Sequence, residues 1–558
     1  MALFTKQKTG HIIWTSSTRL TGEAVSFPYR GSDYSSGVSA DDEKDSGAMK
    51  RVFGLETEYG ITLSGAESVD VVAESIELVR HYTDHGALMK WDYELEDPHL
   101  DARGFRAREL LQDTDESAYY EIDKRRPLSF EEIKSDLVLS NGARFYNDHA
   151  HPEYSTPECT TLQQIVAQDK AGERILAECA RRRNQKLPHG YEVRLYKNNT
   201  DFAGHSYGCH DNYLMSRDIA WDRIVAGILP FLVTRQIFAG AGKMGVEAES
   251  GQSDPGIYQI SQRADFFSVV VSIDTMNRRP LINTRDEPHV DASRYRRFHV
   301  ILGDSNMSEW ATAMKIGTTA LVLDLIERGQ APQLEIAQPV DANKSISRDR
   351  TYDWIIELKD GRKISAIDVQ RVYLRAASKL WREPPDHEHA WILREWEDVL
   401  NDLERDAVST RDRVDWAAKK FLLDALQEGE KLSWSDPWLQ SIDLEYHNLD
   451  LDRGLYYELL REGLMRRVTN EDEIKSAIFN PPETTRAFFR GRTVARFNDE
   501  ISSIQWDEIV FANPAVAGHS YRVALPEAAM NARLNALNHA ARNGKDFSEF
   551  MSAIAQIG

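Results

Sequence analysis

Residues 51–62, RVFGLETEYGIT, and residues 141–153, NGARFYNDHAHPE, each read as a β-strand with polar chemistry on one face. Side chains alternate between the two faces of a strand. Glu56 and Glu58 therefore share a face with Val52, Gly54 and Gly60, which keep it small, while Leu55, Thr57 and Tyr59 point the other way. In the second stretch Arg144, Tyr146 and Asp148 share a face. Carboxylates aimed at one point repel one another unless a cation sits between them. A hard divalent ion with oxygen ligands, such as Mg²⁺, relieves that repulsion. An arginine beside it suits a phosphate, because its planar fork pairs two oxygens at once. The competing reading is a solvated, charged strand face with no function, since exposed glutamates are common.

The chain has 558 residues, more than one domain's worth. No apolar run approaches the roughly 18 residues of a membrane span, and the N-terminus has no apolar core of signal-peptide length. Cys159, Cys179 and Cys209 are the only cysteines, too few for a disulfide framework, so the expected home is a reducing cytoplasm. A formal net charge of −21 argues against a nucleic-acid partner. Arg181, Arg182, Arg183 and Lys186 form one basic cluster and Arg294, Arg296 and Arg297 another; for the first, solvation of a helix end is the simpler account.

Residues 1–48 are rich in Ser, Thr, Gly and Asp without apolar period, and read as a disordered extension; Met49 offers an alternative start. Residues 49–480 form the expected catalytic body. Within it helices are expected over 66–82, 160–184, 221–239 and 307–328, strands over 189–197 and 296–304, and a buried strand at 266–273. Residues 91–140 read as a long polar loop, expected to stay largely out of the core, with a role in gating access. Pro481-Pro482 marks a boundary, and residues 481–558 read as a small C-terminal α/β domain.

The P-loop, the GxSxG elbow and the CxxC pair are all missing. Site-type residues recur instead along the body: His210 and Asp211 in GCHDNY, Arg263 in SQRADFF, Arg285, Asp286, Glu287 and His289 in INTRDEPH, and His299 in RRFHV. Singly, each has an ordinary structural explanation. Together they supply the Arg, His and carboxylate inventory of a metal–nucleotide sheet.

The strings GLETEYGI, NGARFYNDHAHPEYSTPE, YKNNTDFAGHSYGCHDNYL, ISQRADFF, INTRDEPH and RYRRFHVILGDSNMSE resemble the Dop/PafA family of the Pup modification system, in nearly collinear order from Lys50 to Phe511. The resemblance implies an α+β, glutamine-synthetase-like fold: a curved, mainly antiparallel sheet backed by helices, holding ATP and Mg²⁺ on its concave face. One branch of the family ligates Pup to lysines; the other deamidates the C-terminal glutamine of Pup and cleaves Pup from its targets. WDYELEDPHLDARGF at 91–105 resembles the hydrolase branch. By resemblance Asp148 is catalytic; Glu56, Tyr146, Glu153, His210 and His299 bind metal; Arg144, Thr156, Trp506, Arg263 and Arg285 bind nucleotide. The implied partners are Pup and pupylated proteins, with the bacterial proteasome system alongside, and neither nucleic acid nor membrane. A Pup ligase that consumes ATP and a catalytically dead Pup-binding adaptor are the alternatives. HDNY stands where the family has HENY, shortening the carboxylate at Asp211 by one methylene, and the chain beyond residue 512 matches weakly.

Overall fold

A computed structural model describes residues 51–66, 69–83, 87–94, 96–110, 127–247, 254–381, 386–512 and 520–557, and the backbone of two short paired strands, Leu3–Lys6 and Ile12–Thr15. The rest of the 1–48 extension and residues 111–126 of the expected gating loop lie outside the described residues.

The centre is a six-stranded sheet in the order Tyr295–Val300, Cys209–Ser216, Phe53–Glu58, His151–Ser155, Arg144–Asp148, Leu137–Val138, with every neighbouring pair antiparallel. Alternation decides which face is covered. Phe53, Leu55 and Thr57 are buried while Gly54, Glu56 and Glu58 are half-buried. The apolar face joins one core with the helices Leu162–Asn184, Trp221–Ala239 and Glu309–Glu327. Helix Leu162–Asn184 approaches the sheet closely at Gly172, where a Cβ would meet the Tyr154 ring at 2.4 Å. Thr161 and Ser308 begin two of these helices by accepting from Gln164 N and Ala311 N. The α+β architecture expected from the resemblance is thus present. No helix among the described residues is long and apolar enough to cross a membrane.

Two expectations need correction. The 266–273 segment is not a buried strand: Phe267–Ser272 pairs in parallel with Arg279–Asn283 alone, and past Phe267 it is only half-buried. A β-branched run looks the same on a two-stranded flap as in a core. The start of the 91–140 segment is also less detached than its polarity suggests. Trp91 is buried and bridges to Ile504, and Asp101 bridges to Arg285 and accepts from Thr284 Oγ1 at 2.7 Å. Its anchors are single aromatic and acidic residues, which leave no periodic signature. Trp91 and Leu88 join the core of the C-terminal region, built from helices Ala487–Phe497, Ala532–Asn543 and Phe547–Ile557 and a three-stranded antiparallel sheet.

Candidate active site

Cross-strand register gathers the polar residues into rows. Tyr146 lies opposite Glu153, which lies opposite Glu58; Asp148 lies opposite His151. Glu56 lies between Ser155 and His210, and Asn212 lies opposite His299. Over these rows opens a cleft with roughly 1680 Å³ of free space. Glu56, Tyr146, Asp148, Glu153, His210 and His299 all line it, as do Arg144, Arg263, Arg285 and Trp506. Thr156 lines an adjoining pocket of roughly 590 Å³ between Gly54, Leu214, Val290 and Trp506.

The expected metal residues fall into two groups. Glu58, Asp148 and Glu153 bring carboxylate oxygens within 4.8 Å of one another, and so do the ligand atoms of Glu56, His210 and His299. The first donor set is all hard oxygen and fits Mg²⁺. The second has one oxygen and two imidazoles, a set that also suits softer divalent ions. Tyr146, beside Glu153 in register, borders the first group. Burial, with Glu153 and Asp148 close by, pushes its phenol well up.

Charge is unevenly compensated here. Burial together with Asp148, Glu56 and Glu58 pushes the Glu153 carboxyl well above the usual range. Burial would raise Asp148 as well, but His149 and Lys134 outweigh it and hold Asp148 well below that range. Lys134 Nζ donates to Asp148 Oδ1 at 2.8 Å, and His149 Nδ1 lies 3.2 Å from Oδ2. Neighbouring carboxyls are therefore shifted in opposite directions by their unequal share of nearby cations. Glu56 also overcomes its burial: His210 Nδ1 lies 3.2 Å from Oε2 and Arg297 adds positive potential, so the carboxyl stays well below normal. Burial and Arg297 push the His299 imidazole well down, towards the neutral form that can ligate a metal.

The nucleotide expectations separate more widely. Arg144 is sandwiched between Trp91, 3.9 Å from its ring centre, and Tyr146, 4.1 Å away, with Nη2 donating to Asp136 Oδ2 at 2.5 Å. Its fork is thus engaged by the protein itself. Arg263 is almost wholly buried and donates to Ile301 O and to Ser206 Oγ, placing it in the floor of the cleft; burial and the nearby Arg279 lower it to about 10. Arg285 is half-buried, 3.9 Å from Glu287. Thr156 Oγ1 accepts from Leu55 N at 3.0 Å, tying the end of strand His151–Ser155 to strand Phe53–Glu58. Trp506 meets Trp91 edge-on at 5.4 Å and lies 4.7 Å beneath the guanidinium of Arg490.

Asp211 is corrected outright. It faces the helices, fully buried, and pairs with Arg235 at 2.8 Å. Alternation puts 211 on the opposite side from 210, so the shortened carboxylate of HDNY does not touch the cleft. Glu58, paired with Glu56 on one strand face by alternation, joins the first group, and Arg297 of the second basic cluster reaches Glu56; Lys134 and Asn212 are additions from the structure. Asn212 and Arg297 each place a nitrogen 3.1 Å from Glu56 Oε1. Alternation also points to Asn212, two positions from His210; no local signal marks Lys134.

The profile of the Pup-ligase protein family matches residues 51–510. A depupylase of Acidothermus cellulolyticus is 44% identical over 476 residues, 84% of this chain and 92% of that one. A Pup deamidase/depupylase of Mycobacterium tuberculosis is 43% identical over 474 residues, 83% and 91% of the two chains. The solved ligase PafA in complex with Pup aligns with a TM-score of 0.70 at 32% identity, covering 88% of this chain and 93% of that one. PafA in complex with ADP gives 0.66 at 34% identity, covering 79% and 97%. By sequence match and by shared fold, this chain belongs to the Pup-ligase protein family.

Proposed function

We propose that this chain is a hydrolase of amide bonds made by Pup, removing the side-chain amide of its C-terminal glutamine and cleaving the isopeptide bond that joins Pup to substrate lysines. The observation that carries the chemistry is Asp148: a half-buried carboxylate held ionised by Lys134 and His149 on the floor of an open cleft. An ionised carboxylate there either takes a proton from water or attacks the carbonyl carbon, and both routes need that unprotonated oxygen. The relatives named depupylase and Pup deamidase/depupylase favour hydrolysis, and so does the 91–105 segment, whose Trp91 stacks on Arg144.

Nucleotide is bound on the same face. The pocket of Gly54, Leu214, Val290 and Trp506 suits a flat base, with Thr156 at its floor, and Arg285 and Arg297 face the neighbouring cleft, where phosphates would lie. ATP is read as a bound cofactor rather than a consumed substrate. Glu58 and Glu153 with Asp148, and Glu56 with His210 and His299, would hold Mg²⁺, which when bound neutralises the carboxylates and stabilises charge developing on the carbonyl oxygen.

The test incubates the chain with Pup ending in glutamine, ATP and Mg²⁺ and follows intact mass. A gain of about one dalton, from exchange of an amide NH₂ for OH, is the expected result. A Pup–protein adduct in place of that gain would establish ligation instead.

A further inference from the structure

One cation that reaches the carboxylate group does not come from the sheet. Lys134 ends the helix Phe130–Lys134, whose start carries a reciprocal Ser129–Glu132 cap and whose chain turns back at Ser135 with φ of 46°. Five residues are too few to hold a helix by propensity. Tertiary ties hold this one. Asn147 Nδ2 donates to Ile133 O at 3.1 Å, Phe130 meets Tyr93 edge-on at 4.9 Å, and Lys134 Nζ donates to Asp148 at 2.8 Å. Two of these ties grip neighbouring residues of one strand, Asn147 and Asp148. The helix therefore reads the state of the Asp148 carboxylate directly.

An ammonium and a divalent cation compete for Asp148, because both seek its oxygens and each repels the other. We propose that Lys134 is an exchangeable positioning cation: it pins Asp148 while the Glu58–Asp148–Glu153 group carries no divalent ion, gives way when one binds, and so transmits metal loading to the helix Phe130–Lys134. This rests on the reading of that carboxylate group as a cation site. Removing the lysine charge then tightens metal binding, and metal binding releases one of the ties on the helix, so its amides open more often.

The test uses the full chain with Mg²⁺ alone, without nucleotide or Pup. Calorimetry of Lys134→Met is expected to show Mg²⁺ affinity raised on the order of tenfold, as for removal of a close like charge. Lys134→Arg, which keeps the charge, is expected to restore the lower affinity. Combining Lys134→Met with Asp148→Asn is expected to match Asp148→Asn alone, since the two act through one contact. Hydrogen exchange at residues 131–135 is expected to quicken on adding Mg²⁺ to the wild type, and to be fast from the outset and unresponsive in Lys134→Met. Unchanged or weaker Mg²⁺ binding by Lys134→Met overturns the proposal, as does a Lys134→Arg protein that behaves like the methionine variant. A wild type that deamidates Pup yet shows no Mg²⁺ binding overturns it while leaving the hydrolase function standing. Mg²⁺ exchange as described in a chain inactive on Pup supports it while removing that function.

Discussion

Two acidic clusters lie on opposite faces of one sheet, and they differ in how their charge is balanced. Behind the sheet, on helix Leu162–Asn184, Asp169 and Glu173 meet two lysines. Lys197 Nζ donates to Asp169 at 2.6 Å and to Glu173 at 2.8 Å, Lys170 Nζ reaches Glu173 at 2.8 Å, and the Tyr457 hydroxyl donates to its second oxygen at 2.7 Å. All four charged side chains are almost wholly buried. Against its burial, Lys170 and Lys197 hold the Glu173 carboxyl down at about 2. In the cleft, Glu58, Asp148 and Glu153 converge with fewer cations per carboxylate, and Glu153 is driven up instead. A closed ion network serves the fold. An open one, facing a cleft, has capacity left for a ligand.

The sharpest way to break this comparison is to unbalance the rear cluster. Lys197→Met keeps volume and removes charge, and should cost about 3–5 kcal/mol, because the stranded carboxylates stay buried. Urea unfolding reads this; a midpoint matching the wild type would mean that the rear network is not structural.

Acid should act on the same cluster. Glu173 is more acidic folded than unfolded, near 2 against 4.5. Its stabilisation is therefore complete above pH 4.5 and is lost as pH falls towards 2, by about 3 kcal/mol in total. Glu173→Gln should flatten the acid limb of stability against pH, and an unaltered limb would assign acid unfolding to other groups.

Asp148→Asn tests the front cluster with an isosteric change. Hydrolysis of Pup should fall by at least roughly 100-fold, the usual scale for a lost general base, with the melting temperature near that of wild type. Wild-type turnover in this variant removes Asp148 from the reaction.

The smallest expected effect belongs to Glu56, which His210, Asn212 and Arg297 already surround. Glu56→Ala should weaken Mg·ATP binding on the order of tenfold, as the loss of a supporting oxygen does. Unchanged calorimetric affinity would separate this group from the nucleotide site.

Much of the site is legible in the sequence, for a local reason. The pleat of a strand is a property of the backbone, so Glu56 with Glu58, and Arg144 with Tyr146 and Asp148, could be assigned to common faces from spacing alone. The same rule, carried through, would have turned Asp211 towards the helices. The 266–273 run reads as a buried strand because β-branched residues do not report whether a second layer covers them. Trp91 gives no sign of being an anchor, because one aromatic in a polar segment carries no period.

Spacing, composition and motif resemblance by themselves determined the α+β class, the polar strand faces and most of the cleft residues, since each is written within a few consecutive positions. Only the tertiary structure decided which strands lie side by side, and hence that Glu58 joins Asp148 and Glu153 while Glu56 joins His210 and His299. It also decided which charges are neutralised. Arg297 reaches Glu56 across 241 positions of chain and Lys197 reaches Glu173 across 24, and neither contact leaves a local trace. Electrostatic balance depends on distance in space and on burial, and both are fixed only when the sheet, the helices and the C-terminal region have packed.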